Sequence, residues 1–348
     1  MNEASSNRPV IAVWELTLQC NLRCVHCGSS AGVARADELT TTEALRLCHD
    51  LAALGCTGVA LMGGEVFLRR DWSTISKEIK RQGMILSVIT NGFFHADHII
   101  PQLCALETDC VMVGLDGGSA ASHDAIRGVR GSFKKARAFL NAAKKANLQT
   151  GAITTVQKSN FHELPKILKI VLEEDINWQL QDGTPIGRFP RNRVLTEEEY
   201  YALGLFIRST QKKYATRACS IIGTHNLGFH SSHLPNLSPY PSWQGCYGGK
   251  TVVGIQSNGN IKGCLALSDV FIEGNIRTRS ISDIWIDPTA FSYSRHSTRK
   301  ELGENCKHCK FGTSCKGGCT TRSTSTTGMP HNDPFCFYRF EQEKLQCG

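Results

Sequence analysis

The stretch Leu18–Ser30, LQCNLRCVHCGSS, places Cys20, Cys24 and Cys27 within eight consecutive positions and offers no fourth cysteine beside them. It follows the apolar run IAVWELT at residues 11–17, which reads as a buried strand. A structural zinc takes four protein ligands and would need His26 or a remote residue to complete this set. Three thiolates suit instead a cubane iron-sulfur cluster with one iron left open for a ligand.

Outward from this loop, residues 11 to 185 alternate strand-like and helix-like segments. Strands are expected at IAVWELT (11), GVALMG (58), MILSVIT (84), CVMVGLD (110), LQTGAITTV (148) and NWQLQDG (177). Between them lie TTEALRLCHDLAALG, DWSTISKEIKRQG, ADHIIPQLCAL, SFKKARAFLNAAKKA and FHELPKILKIVLEED, with apolar residues at helical spacing and capping residues at several starts. This alternation predicts an α/β fold with a parallel sheet, either open and doubly wound or a partial barrel, whose ligand sites lie beyond the strand C-terminal ends. The three-cysteine loop stands on that face.

After a further helix around TEEEYYALGLFIRSTQKKY the texture changes. From about Gly223 onward Gly, Pro, Ser, Asn and Cys dominate, except for TVVGIQSNGNIKGCLAL, which reads as a β-hairpin turning at Asn258-Gly259. Two domains are expected, residues 1–220 and residues 221–348, the second organised by metal more than by an apolar core.

At 348 residues with 41% apolar content, the chain can bury a real core. It has no apolar run of about 18 residues, and MNEASSNRPVIAVW lacks the features of a secretory signal, so a cytoplasmic address is expected. In that compartment 16 cysteines predict metal or redox chemistry, because cellular thiols keep disulfides reduced. The net charge of +8 overstates the basicity of a chain whose ligating cysteines are thiolates, and neither a nucleic acid nor a membrane is an expected partner.

On these residues the chain resembles the radical S-adenosylmethionine (radical SAM) enzymes, whose motif is Cys-x3-Cys-x2-Cys in the loop after the first strand of a partial (β/α)6 barrel. The resemblance implies that the open iron chelates S-adenosylmethionine, whose reductive cleavage yields a 5'-deoxyadenosyl radical that abstracts a substrate hydrogen. It also implies that Gly63, Gly64 and Glu65 of MGGEVFL receive the cofactor's amino group, that Thr90 and Asn91 of TNG line its site, and that Arg127 pairs with its carboxylate. His26 falls where relatives stack an aromatic residue on the adenine, the alternative being a loop histidine facing solvent. Gly114 stands where relatives often carry a serine that contacts the ribose.

The C-terminal cysteines resemble the SPASM domain of the same enzymes: Cys246, Cys264, then Cys306-x2-Cys309-x5-Cys315-x3-Cys319, then Cys336. By that resemblance two auxiliary 4Fe-4S clusters join the first, one held by Cys306, Cys309, Cys315 and Cys336 and the other by Cys246, Cys264 and Cys319. No cysteine lies between Cys246 and Cys264, so the latter cluster has an open iron, a non-cysteine ligand, or a remote thiol such as Cys219 or Cys347. A zinc ribbon is the competing reading of this block. Cys48, Cys56, Cys104 and Cys110 read as small core residues, and KKARAFLNAAKK as a solvated helix face.

No catalytic residue beyond these is assigned, although Gln179, Gln181, Asp182 and Arg188 stand near the expected barrel mouth. The leading expectation is maturation of a ribosomally made peptide by crosslinking or oxidation. The short segment before the first strand then calls for a separate leader-peptide-binding protein or a groove on the barrel, and a flavodoxin- or ferredoxin-type protein is the expected electron donor. The alternative is a dehydrogenase or epimerase of a small hydroxylated substrate such as a sugar or aminocyclitol. A zinc-organised scaffold without catalysis is the third reading.

Overall fold

The computed structural model describes residues 8–240 and 243–345, so Cys347 lies outside the described residues. The expected alternation forms β1 (Ile11–Thr17), α1 (Thr41–Ala53), β2 (Gly58–Gly63), α2 (Trp72–Arg81), β3 (Ile85–Thr90), α3 (Ala96–Ala105), β4 (Cys110–Gly114), α4 (Ala120–Arg127), α5 (Ser132–Lys145), β5 (Thr150–Val156), α6 (Leu164–Glu174), β6 (Asn177–Asp182) and α7 (Glu197–Lys213). All six strands run parallel in chain order. The residues of one sheet face form the core: Ala12, Trp14, Leu16, Leu61, Leu86, Val88, Val111 and Val113 are fully buried, while Ile11, Val13 and Ser87 on the other face are half-buried and Ile85 is exposed.

Local chemistry sets several boundaries. Thr40 accepts from the Glu43 amide at 3.3 Å while Glu43 accepts from the Thr40 amide at 2.8 Å, a reciprocal cap that starts α1. Thr196 and Glu199 do the same for α7. The helix α4 has no counterpart in the expected pattern, because its buried face is His123, Ile126 and Arg127 and carries little apolar periodicity. Cys48 and Cys56 are core residues as expected, but Cys104 is exposed. The short helix α3 buries a narrow stripe of Ile99, Ile100 and Leu103, and Cys104 falls outside it. The basic run on α5 faces outward, with Arg137 paired to Glu174 and Lys144 to Asp175.

The loop-rich segment adds β7 (Ile221–Gly223), β8 (Val252–Ile255), β9 (Asn260–Lys262) and β10 (Gly274–Asn275), and one unclosed sheet runs β10-β9-β8-β1-β2-β3-β4-β5-β6-β7. The expected hairpin is β8 with β9, and Gly259 turns it in the left-handed region at φ +88°. Its docking was not legible: β8 lies parallel to β1, with Ile11 opposite Val252 and Trp14 opposite Ile255. Short helices follow, α8 (Ile281–Ile286), α9 (Ser292–Arg295), α10 (Gly312–Cys315), α11 (Thr320–Thr327) and α12 (Phe337–Phe340). Among the described residues no helix is long and apolar enough to cross a membrane.

Arg322 of α11, only 1% exposed, ties this segment to the barrel. Its Nη1 donates to Asp182 Oδ2 at the end of β6 (2.7 Å), and its Nε donates to Asp333 Oδ1 (2.9 Å). The rings of Tyr200, Phe229 and Phe335 pack over the guanidinium at 4.9–5.4 Å. Removing the cation leaves two buried carboxylates without compensation, so Arg322→Ala should destabilise the fold by about 3–5 kcal/mol. A denaturant midpoint unchanged from the parent would contradict this.

Candidate functional site

The loop after β1 is held between two walls. The amides of Arg23 and Val25 donate to the carbonyls of Arg127 (3.1 Å) and Ile126 (2.9 Å) at the end of α4. Across the loop, Arg188 donates from its backbone to Cys27 O at 3.0 Å, from Nε to Cys24 O at 3.2 Å and from Nη1 to Ala31 O at 2.7 Å. Arg188, one of the four mouth residues, is thus a brace for the cysteine loop.

Each of the three sulfurs meets a donor suited to a thiolate. Leu22 N–H lies 3.5 Å from Cys20 Sγ and Asn91 Nδ2 3.8 Å from it, Arg127 Nη1 lies 4.0 Å from Cys24 Sγ, and Ala31 N–H lies 3.3 Å from Cys27 Sγ. Burial pushes Cys20 up to about 11, with the repulsion of Glu65, Cys24 and Cys27 adding to it, and burial raises Cys24 as well. Thiols held this high keep their protons until a metal displaces them.

The Gly63-Gly64-Glu65 turn packs directly under this loop. A Cβ at Gly63, whose φ is +139°, would overlap Thr17 O, and one at Gly64 would overlap Gln19 O. Only glycine lets the ends of β1 and β2 approach so closely. Glu65 is fully buried and accepts from Thr90 Oγ1 (2.8 Å) and the Asn91 amide (2.8 Å). Burial raises its carboxyl to about 7 against those hydrogen bonds.

Beside them, Arg127 Nη2 pairs with Asp116 Oδ2 at 2.7 Å, and His26 Nε2 stands 3.3 Å from the same oxygen. Burial opposes ionisation of Asp116, but Arg127, then His26 and His123, outweigh it and hold the carboxyl below its usual range. Burial lowers His26 to about 4, so the ring is neutral, and it packs inside the site instead of facing solvent. Gly114 has a steric reason: a Cβ there would collide with the Arg127 guanidinium. Asp116 lies inside the GLDGG segment, yet nothing in the sequence alone distinguished it from a turn aspartate.

The other mouth residues have structural partners. Asp182 belongs to Arg322, Gln181 Nε2 donates to Thr155 Oγ1 at 2.9 Å, and Gln179 sits in the sheet between Ile153 of β5 and Ile222 of β7. 

The seven C-terminal cysteines separate into two sets. Cys306, Cys309, Cys315 and Cys336 line a cavity of about 440 Å³ together with Phe229, His230 and Tyr338. Burial raises Cys306 to about 12 and Cys336 to about 11; Cys336 and Cys309 repel Cys306, and Cys309 repels Cys336. In the other set, burial raises Cys264 and Cys319, and Cys246 repels both. The donor chemistry and the cavity fit iron-sulfur clusters. Among the described residues no three His, Cys, Asp or Glu side chains converge as ligands of one metal ion would. Cys219 stands apart, beside Asp175, Arg217 and Lys144 ahead of β7.

Strand direction sets where these groups lie. The Cys20–Cys27 loop leaves the C-terminal end of β1. Cys246 and Cys264 flank the β8–β9 hairpin at its base, level with the N-terminal end of β1. Seven residues of strand separate the two ends, roughly 20 Å.

A partial barrel with a thiol set in the loop after its first strand and two more in the appended segment defines a class of metalloenzyme, and the sequence comparisons name it. Residues 14–171 match the Radical SAM superfamily and residues 246–310 the SPASM iron-sulfur cluster-binding domain. The chain belongs to the radical SAM enzymes with a C-terminal SPASM domain; it binds S-adenosylmethionine and a 4Fe-4S cluster in the first region and auxiliary iron-sulfur clusters in the second. It is 28% identical to the AdoMet-dependent heme synthase of Methanosarcina barkeri over 97% of this chain and 98% of that enzyme. It is 25% identical to the mycofactocin maturase MftC of Mycobacterium tuberculosis over 95% of this chain and 83% of that protein. Its fold is similar to that of SuiB from Streptococcus suis, with a TM-score of 0.77 at 16% identity, over 95% of this chain and 76% of that one.

The close approach at Gly64 yields a test. Gly64→Ala forces a Cβ into the backbone of the cysteine loop, so the anaerobically reconstituted variant should lose about four irons per chain, one cluster's worth. Full iron content with an unchanged EPR spectrum would contradict it.

Proposed function

We propose that Cys20, Cys24 and Cys27 hold the cluster that binds S-adenosylmethionine, with Cys306, Cys309, Cys315 and Cys336 holding one auxiliary cluster and Cys246, Cys264 and Cys319 the other. The sorting of the thiols into these sets by proximity and burial supports this. It follows that residues 1–220 are the barrel unit and residues 221–348 the auxiliary-cluster unit.

With cluster and cofactor bound, reductive cleavage of S-adenosylmethionine supplies the radical that removes a substrate hydrogen. The chain's own residues bind and orient. Glu65, fixed by Thr90 and Asn91, takes the cofactor's amino group at the Gly63-Gly64 turn. Arg127 exchanges part of its pairing with Asp116 for the cofactor carboxylate, and the neutral His26 ring stacks on the adenine. 

The substrate we infer is a ribosomally made peptide. Similarity to a maturase supports the peptide class. A tetrapyrrole is the second reading, favoured by the similarity to heme synthases over the full chain. A flavodoxin- or ferredoxin-type donor would supply the reducing electron, and a separate leader-binding protein would present a peptide.

Anaerobic incubation with reductant, S-adenosylmethionine and a candidate precursor peptide should raise 5'-deoxyadenosine formation above the substrate-free rate and carry deuterium from labelled peptide into it. Iron-coproporphyrin is the parallel arm, and Cys24→Ala should be inactive in both. Stimulation by a neutral polyol alone would overturn the peptide reading.

The Glu65 carboxyl gives a pH signature. Its folded value, about 7, lies above the ordinary 4.5, so below pH 7 the group is protonated and must release a proton to face an ammonium. Affinity for S-adenosylmethionine should strengthen by up to roughly tenfold per unit as pH rises toward 7 and level off above it. Glu65→Gln should bind weakly with no such slope; a parent enzyme with flat affinity from pH 5.5 to 7 would count against this role.

A further inference from the structure

The Cys246, Cys264 and Cys319 set has three thiols, and a cubane has four irons. What stands at the fourth corner is legible in the packing. Tyr293 of α9 has its hydroxyl buried against the Gly263 backbone without a well-directed hydrogen bond. That oxygen lies over Gly263, the residue before Cys264, so closely that a Cβ there would overlap it. The next residue pins the same helix to the first cysteine: Ser294 Oγ donates to Cys246 O at 3.2 Å. The ring is fixed edge-on by Phe271, with centroids 5.0 Å apart.

A buried hydroxyl without a well-directed hydrogen bond costs stability, about 1–3 kcal/mol, unless something absent from the bare chain satisfies it. The packing points to that something: Gly263, under the hydroxyl, precedes Cys264 and packs on Gly248, which lies against Cys246 Sγ. After burial, the groups that oppose its ionisation most are Cys246 and Cys264. Thr321 is already engaged with Cys264, and Cys219 stands ahead of β7 at the other edge of the sheet. 

We propose that the Tyr293 oxygen is the fourth ligand of this auxiliary cluster, which makes it a three-thiolate, one-phenolate site. The proposal rests on the assignment of Cys246, Cys264 and Cys319 to a 4Fe-4S cluster. On assembly the phenol O–H breaks, an iron–oxygen bond forms, the proton leaves to solvent and no electron moves. The cation replaces the proton that burial would otherwise hold in place. A site closed in this way passes electrons without taking substrate onto iron, which limits this cluster to electron transfer.

The test uses the reconstituted holoenzyme with excess S-adenosylmethionine, which covers the open iron of the barrel cluster, and ¹³C-cyanide as a probe of any other open iron. In the parent, pulsed EPR of the reduced auxiliary clusters should show no ¹³C coupling. Tyr293→Phe keeps the ring and its contact with Phe271, and should show the coupling together with a higher reduction potential, since an anionic ligand is gone. A three-iron EPR signal in Tyr293→Phe alone counts equally for the proposal, as the loss of an uncapped corner. Coupling already present in the parent, or identical spectra and potentials in the two proteins, would overturn it. Cys264→Ala separates the underlying assignment: if that variant keeps its full iron, the cluster is not where these thiols are, whatever Tyr293 does.

Discussion

A buried guanidinium ties the C-terminal half of this molecule to the end of the barrel. Arg322 follows Cys319 by three residues, and its partner Asp333 precedes Cys336 by three. Its other partner, Asp182, ends the last strand of the barrel proper. Asp333 also accepts from the Cys319 amide at 3.1 Å, so both C-terminal thiol sets are anchored to the same ion network. In a segment with little apolar content, such a network supplies what a core cannot: a unique geometry, enforced because every alternative leaves a charge stranded in a low-dielectric interior.

The same device recurs at the mouth. Asp116, Arg127 and His26 form a buried group in which the arginine is neutralised before any ligand arrives. A carboxylate entering the site competes with Asp116 instead of meeting a bare cation, which tempers affinity and keeps the guanidinium aimed. Glycine at 114 is the cost of that aim, since any side chain there would displace the arginine.

Much of this was legible in the chain. The six strands and the helices between them follow from hydrophobic period and caps, because each strand turns alternate apolar residues toward the helices and each helix repeats its own every three to four positions. The cysteine spacings were legible because covalent chain length limits how thiols gather. What escaped were side chains whose roles depend on distant partners. Arg322 reads as one polar residue in TTRSTSTT, and Tyr293 as one aromatic in a loop. The pairing of β8 with β1 joins residues about 240 positions apart, and no local pattern encodes a partner at that distance. Cys104 misled because its neighbours in ADHIIPQLCAL are apolar while the helix it rides is too narrow to bury it.

That pairing of β8 with β1 also acts as a ruler. One thiol set hangs from the far end of β1 and the other from the base of a hairpin whose position along β1 is fixed by backbone hydrogen bonds. A slip of two residues would keep every side chain on its own face yet change the span between the ends by about 7 Å. The gap an electron would cross between the two sets is therefore written in the register of two short strands.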